Sequence, residues 1–131
     1  MKILLLFLIC LLLSGCWNGV VQPSDRGIEM HFKRFKTLRQ QESYFEDGTW
    51  NSERDTFESP MHQSLLAIEA YFKAHPPSQS ELKVSLGEPD AQTSPVCEGC
   101  WVYFWRGWHD YLYFQFDETK KAEVKWYQAL D

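Results

Sequence analysis

The C-terminal part of the chain places the strongest constraint on its fold. Residues 101–105, 111–116 and 122–127 are rich in aromatic and β-branched side chains, and such side chains favour β-strands. The connections between them, residues 106–110 and 117–121, have the length of hairpin loops. Because hairpin loops join strands that are neighbours and antiparallel, the sequence predicts a three-stranded antiparallel β-meander.

Two helices are predicted before the strands. In the first, Ser59 is suited to the N-cap and Pro60 to the first helical position. Its apolar residues recur at helical spacing: Met61, Leu65, Ile68 and Phe72. The second, shorter helix has a capping box formed by Ser78 and Glu81, and Gly87 at its end. Two helices followed by one small sheet predict an α+β domain.

The sequence divides into four regions. The predicted α+β domain, residues 59–131, follows an extension, residues 28–58, in which helical and strand spacing fit equally well. Residues 16–27 contain turn formers and no apolar period, as expected of a flexible tether. Residues 1–15 have the composition of a signal peptide. Their removal would leave 116 of the 131 residues, enough for one hydrophobic core.

The predicted signal peptide is followed by a cysteine, Cys16. An apolar run over residues 3–13 rises about 1.5 Å per residue as a helix, which is too short to cross a hydrocarbon core about 30 Å thick. The sequence Leu13-Ser14-Gly15-Cys16 resembles the lipobox of bacterial lipoprotein signal peptides. That resemblance implies cleavage before Cys16 and a diacylglycerol on its thiol, which would anchor the chain to a membrane. An ordinary secretory signal with a chance cysteine is a second interpretation. A buried core helix is a third, although nothing polar marks a second face in this run.

The residue after Cys16 and the net charge narrow the location and the partners. An aspartate directly after the lipidated cysteine would resemble an inner-membrane retention signal, but this chain has Trp17 at that position. The expected location is therefore the periplasmic face of the outer membrane. The chain has a formal net charge of −5. Nucleic acid is therefore not an expected partner, because binding to phosphates needs clustered positive charge.

Alternation along the three strands predicts two faces of the sheet. The first face would form the floor of the core and carries Val102, Phe104, Leu112, Phe114, Phe116, Val124 and Trp126. The second face carries the aromatic residues Trp101, Tyr103, Trp105, Tyr111, Tyr113 and Tyr127. Since Tyr and Trp anchor many protein interfaces, the second face is a candidate partner-binding surface. The other interpretation is that residues 28–57 cover this face and make it core. Trp108, at the tip of the first hairpin, is a separate candidate for partner contact.

Two cysteines, Cys97 and Cys100, lie three residues apart before the first predicted strand. A periplasmic location is oxidising, so a local disulfide is the main expectation. A zinc site would need two more ligands, and the four histidines are scattered without metal spacing. A redox centre would need a helix N-terminus or a cationic neighbour to stabilise a thiolate. Glu98, which lies between the cysteines, works against that alternative.

Motifs of catalysis are missing from the sequence. There is no Gly-x-Ser-x-Gly, no phosphate-binding glycine loop and no His-Glu-x-x-His. The pair His109-Asp110 can orient an imidazole, but it lies in a predicted turn. We therefore expect no enzyme activity, no cofactor and no metal.

The order of these elements resembles a known family. The order is a helix, a short helix ending in Leu86-Gly87-Glu88-Pro89-Asp90, an aromatic strand beginning at Trp101 and a strand ending at Phe116-Asp117. This order is similar to that of the SmpA/OmlA family of small outer-membrane lipoproteins. The resemblance covers roughly residues 60–127. It implies a non-catalytic protein-binding or envelope-assembly module, anchored through Cys16.

Two other functions stay open from the sequence alone. A periplasmic inhibitor or immunity-type lipoprotein would capture one secreted enzyme or toxin on the aromatic sheet face. A thiol–disulfide oxidoreductase would use Cys97 and Cys100.

Overall fold

The structure, a computed structural model, describes residues 23–129. The predicted signal peptide, Cys16 and residues 16–22 of the predicted tether lie outside this part of the chain. The helices are α1 (Pro23–Leu38), α2 (Pro60–Ala74) and α3 (Gln79–Leu86), and the strands are β1 (Trp101–Arg106), β2 (Asp110–Phe116) and β3 (Ala122–Gln128). The predicted α+β class and the antiparallel meander, in the order β1-β2-β3, are confirmed. Over residues 23–129, none of the helices has the length and apolar character needed to span a bilayer.

Helix α1 resolves the ambiguity of the extension. It begins at Pro23, so residues 23–27, assigned to the tether from the sequence, are helical. Its apolar residues Ile28, Phe32, Phe35 and Leu38 follow helical spacing and are all buried. The Phe32 ring stacks on Phe72 of α2, with centroids 5.6 Å apart, and Phe35 meets the edge of Tyr103 at 6.2 Å. Helix α1 therefore belongs to the core of the domain.

Helices α2 and α3 begin as their sequences predict. The Ser59 hydroxyl accepts the backbone N–H of His62 at 3.2 Å, and Pro60 occupies the first helical position. Ser78 and Glu81 form the predicted capping box. Helix α2 lies on the sheet, where the Trp126 indole donates to the Glu69 carboxylate at 2.6 Å. Local side-chain chemistry thus fixes where both helices start.

The register of the sheet corrects the predicted faces of β1. Trp101 pairs with Phe114, and Tyr103 pairs with Leu112. Directly paired residues share a face, so the residues of β1 that face the helices are Trp101, Tyr103 and Trp105. Val102 is buried too, but it lies with Phe104 on the opposite face, so the prediction that these two residues form the core floor was wrong. Every position of β1 before Arg106 is apolar. The sequence of the strand therefore does not show which alternate residues face the helices, and the pairing with β2 decides this.

A buried carboxylate organises the loop between α1 and α2. Asp55 is 0% exposed. It accepts hydrogen bonds from the Ser43 hydroxyl at 2.5 Å, the Tyr44 N–H at 3.1 Å and the Asn51 N–H at 2.8 Å. Three donors compensate for the loss of water around the charge. They also connect Asp55 to residues 43, 44 and 51 of the loop, which includes the 3₁₀ turn Tyr44–Glu46.

The neighbouring residue, Arg54, joins this loop to the sheet. Its guanidinium is buried and donates to the Gln41 carbonyl and the Glu46 carboxylate. Its backbone carbonyl accepts the indole N–H of Trp105 in β1. Residues 39–59 are therefore attached to the edge of the core by buried polar contacts.

Replacing Asp55 tests this organisation. Asp55→Ala leaves three donors without their acceptor, two of them backbone amides, so we expect the free energy of unfolding to fall by about 3 kcal/mol. Glu53→Ala, at an exposed position of the same loop, should change it by less than about 0.5 kcal/mol. Urea denaturation followed by circular dichroism measures both. Equal effects of the two substitutions would contradict the structural role of Asp55.

Candidate functional site

Three residues of the predicted partner-binding face belong to the core. Trp101, Tyr103 and Trp105 are 6%, 0% and 0% exposed. Their prediction as partner-binding residues is corrected, because the three helices and the loop after α1 cover them. Lys83 of α3 lies over Trp101, Phe35 of α1 meets Tyr103, and His62 of α2 stacks on Trp105. Of the other three predicted residues, Tyr111 is buried on the opposite face, Tyr113 is half-buried there, and Trp108 at the hairpin tip is 51% exposed. The predicted set is thus divided between the core and two surfaces.

Tyr103 is a structural residue. Its hydroxyl donates to the Gly87 carbonyl at 2.9 Å, and the Arg39 guanidinium lies 5.4 Å from its ring centroid. Burial raises the pKa of Tyr103 well above its ordinary value. The neutral phenol therefore connects the end of α3 to β1.

Trp105 is the centre of an aromatic cluster. The His62 ring stacks on it with centroids 4.2 Å apart and planes 7° from parallel, and Phe57 meets its edge at 5.2 Å. Burial, followed by the positive charge of Arg106, lowers the pKa of His62. Because His62 Nδ1 accepts the Glu58 N–H at 2.9 Å, the ring is held in a neutral form. Trp105 thus anchors α2 and the loop to the same point of β1.

The most exposed aromatic residues lie in the loop after α1. We name Tyr44, Phe45, Trp50 and Phe57 the loop patch. Tyr44, Trp50 and Phe57 are 63%, 57% and 57% exposed. The rings of Tyr44, Phe45 and Trp50 form a mutual cluster with centroids 5.5 to 6.4 Å apart. Contiguous exposed apolar surface of this kind marks interaction sites.

An arginine beneath the loop patch holds it against the β1–β2 hairpin. The Arg106 guanidinium lies 4.9 Å from the Phe45 centroid and 4.7 Å from the Phe57 centroid. Asp110, which is 1% exposed, accepts from Arg106 Nε at 2.5 Å and lies 2.8 Å from Nδ1 of His109. Asp110 therefore forms an ion pair with Arg106. His109 packs against Phe45, with the two ring centroids 5.5 Å apart.

Gly107 permits this close approach. A Cβ atom at Gly107 would lie 2.5 Å from the Phe45 carbonyl oxygen, and its φ of +53° is disfavoured for other residues. Only glycine therefore lets the hairpin contact the backbone of the loop patch. Sequence reasoning did not find the patch, because its aromatic residues lie in a polar segment without period. The number of aromatic residues in this loop was the one signal in the sequence that could have indicated the patch.

A cleft lies on the outer face of the sheet. Pro95, Trp108, Tyr111 and Tyr127 line a cleft of about 320 Å³. Tyr111 stacks on Tyr127 with centroids 4.8 Å apart, and Trp108 meets the edge of Tyr111 at 5.7 Å. Burial raises the pKa of Tyr111, while Ser94 opposes the rise. Trp108 extends exposed aromatic surface to the other side of the hairpin from His109.

The cysteine pair closes a turn just before β1. Cys97 and Cys100 are joined as a disulfide with Cα atoms 5.7 Å apart. The backbone of Cys97 pairs with Ser94, and Cys100 is buried. Between α3 and β1 the chain has no helix whose N-terminus could stabilise a thiolate. Within residues 23–129, no three His, Cys, Asp or Glu side chains are grouped to hold a metal ion.

Comparison of the chain with protein-family models, with curated proteins and with solved structures finds no match. The resemblance to the SmpA/OmlA family therefore stays a prediction. The geometry offers exposed aromatic surface on both sides of one hairpin, which is suited to binding.

A pair of tyrosines distinguishes core from surface in β1 and β2. Tyr103→Ala removes a fully buried ring and its hydrogen bond to Gly87, so we expect the free energy of unfolding to fall by about 3–5 kcal/mol. Tyr113→Ala, on the outer face, should lower it by about 1 kcal/mol or less. Thermal and urea unfolding compare the two variants. A smaller loss for Tyr103 than for Tyr113 would contradict the register described above.

The lowered pKa of His62 predicts a pH dependence. As pH falls below about 6.5, the unfolded chain binds a proton at this residue before the folded chain does, so the free energy of unfolding decreases. His62→Phe keeps a ring on Trp105 and removes this proton, so its stability should change less between pH 7.5 and 5.5. The difference in slope cannot exceed about 1.4 kcal/mol per pH unit. His31, whose pKa burial also lowers, contributes equally to both proteins. Identical slopes in urea unfolding across this range would contradict the prediction.

Proposed function

We propose that this chain is a lipid-anchored module on the periplasmic face of the outer membrane, which binds another protein and has no catalytic activity of its own. The loop patch carries the proposal, since Tyr44, Trp50 and Phe57 are each more than half exposed. Tyrosine and tryptophan are enriched among the residues that dominate interface energies. A role in binding or in envelope assembly follows most directly from such a surface.

The support beneath the loop patch favours binding as well. Asp55 fixes the backbone at Tyr44, and Arg106 packs under Phe45 and Phe57. Rings held in place before a partner arrives lose little conformational freedom on binding. The aromatic surface is thus preorganised.

The predicted anchor would keep this surface close to a bilayer. Helix α1 begins at Pro23, and the seven residues from Cys16 to residue 22 span at most about 25 Å. The loop patch follows the other end of α1, a helix of 16 residues and therefore about 24 Å long, so a partner bound there would be met within several nanometres of the membrane. The resemblance to small outer-membrane lipoproteins of the SmpA/OmlA family supports the same role.

The structure gives less support to the two alternative functions, a thiol–disulfide oxidoreductase and an inhibitor or immunity-type lipoprotein. An oxidoreductase would need a stabilised thiolate, whereas Cys97 and Cys100 flank Glu98 in a turn that leads into a strand. An inhibitor or immunity-type lipoprotein would use the loop patch as well, since half of the aromatic residues predicted for its binding face, Trp101, Tyr103 and Trp105, are core. Its partner would be one soluble enzyme or toxin.

A pull-down with patch variants tests the proposal. The full chain with a C-terminal tag is captured from detergent-solubilised membranes, and bound proteins are identified by mass spectrometry. We expect envelope-assembly proteins with the unmodified chain, and at least about fivefold less of them with Tyr44→Ser combined with Trp50→Ser. Cys16→Ala should reduce this recovery too, because the chain would no longer be held at the membrane.

Val84→Ser is the matched control, since Val84 is 78% exposed on α3, outside the loop patch. It should retain full recovery. A single soluble enzyme, captured through the patch and independently of Cys16, would favour the inhibitor instead. Recovery that the patch variant does not change would remove the basis of the proposal.

A further inference from the structure

The residues of the loop patch have exposed carboxylates as close neighbours in the chain. Five acidic residues within three positions of a patch residue are exposed. One of them, Glu46, pairs with Arg54, and the other four are Glu42, Asp47, Glu53 and Glu58. Glu42 accepts the Thr49 hydroxyl at 2.8 Å, which places it beside the turn that carries Trp50. We name these four residues, Glu42, Asp47, Glu53 and Glu58, the acidic rim of the patch.

No exposed cation of this segment balances the rim. Arg54 is the only basic residue between positions 42 and 58. It is buried, and it pairs with Glu46. The rim thus presents its negative charge to whatever approaches the rings.

The inner side of the patch shows which group these rings accept. The Arg106 guanidinium lies under Phe45 and Phe57 and over Trp105, at 4.7 to 4.9 Å from the three centroids, and pairs with Asp110. Aromatic faces with a carboxylate beside them are the preferred surroundings of a guanidinium. Tyr44 and Trp50 are further exposed rings of the patch, with Glu42 and Asp47 nearby in the chain.

We infer that the partner of the loop patch is a cationic protein surface that inserts arginine side chains between the exposed rings and the acidic rim. This inference rests on the proposed function and adds the chemical class of the partner. Charge complementarity also predicts salt-dependent association, since the rim attracts the partner before the rings contact it.

A pair of synthetic peptides tests the inference on the full chain in detergent. One fluorescent decapeptide alternates arginine with glycine, and its twin replaces each arginine by citrulline, which has nearly the same shape and no charge. We expect saturable binding of the arginine peptide, measured by fluorescence anisotropy, and at least about tenfold weaker binding of the citrulline peptide. Affinity for the arginine peptide should fall as salt rises from 50 to 300 mM.

Matched variants localise the binding. Tyr44→Ser and Trp50→Ser should each weaken it about two- to fivefold, as loss of a cation–π contact at an exposed site predicts. Val84→Ser and Leu66→Ser, at exposed apolar positions of α3 and α2, should not. Asp47→Asn combined with Glu53→Gln should weaken binding more than Glu118→Gln combined with Glu123→Gln, which removes two exposed carboxylates elsewhere.

The outcomes separate this inference from the proposed function. Absence of binding, equal binding of both peptides, or equal losses in the patch and control variants would each overturn it. A pull-down that recovers a partner through Tyr44 and Trp50 would leave the proposed function standing even then, with a partner of different chemistry. Loss of arginine-peptide binding in the patch variants alone would support both.

Discussion

The structure depends on the contact between Arg54 and Trp105. The indole of Trp105 donates to the Arg54 carbonyl, while the Arg54 guanidinium donates to the Gln41 carbonyl and the Glu46 carboxylate. One residue thus connects the strand, the end of α1 and the 3₁₀ turn. A buried charge is stable only when it is paired and hydrogen-bonded, so these partners must be present together. The loop of residues 39–59 is thereby attached to β1 of the sheet.

Local signals predicted a large part of the fold. Ser59, Pro60 and the capping box of Ser78 and Glu81 mark helix starts through contacts within one turn of chain, and these need no knowledge of the rest. The three strands were also recognisable, since their composition and hairpin-length connections are local properties. Elements with such signals were predicted to within one residue at their starts.

The remaining features depend on distant contacts. The faces of β1 were wrong because its first five positions are all apolar, and only pairing with β2 decides which side chains face the helices. The sequence of α1 fitted a helix and a strand equally well, since the side that its apolar residues form is buried only by contact with α2 and the sheet. The loop patch has no period at all, and long-range polar contacts to Asp55 and Arg106 position it. Part of the predicted site, Trp108, is exposed as the turn suggested.

The assembly of the loop patch has a consequence for when the protein can bind. Its rings come from residues 44 to 57, and two of them, Phe45 and Phe57, are held by Trp105, Arg106 and His109, which follow much later in the chain. An unfolded or half-synthesised copy therefore has no such surface to offer. A partner that recognises the patch would bind only the native state, and by mass action its binding would add to the stability of that state. Recognition by a partner would then also be a check that the chain has folded.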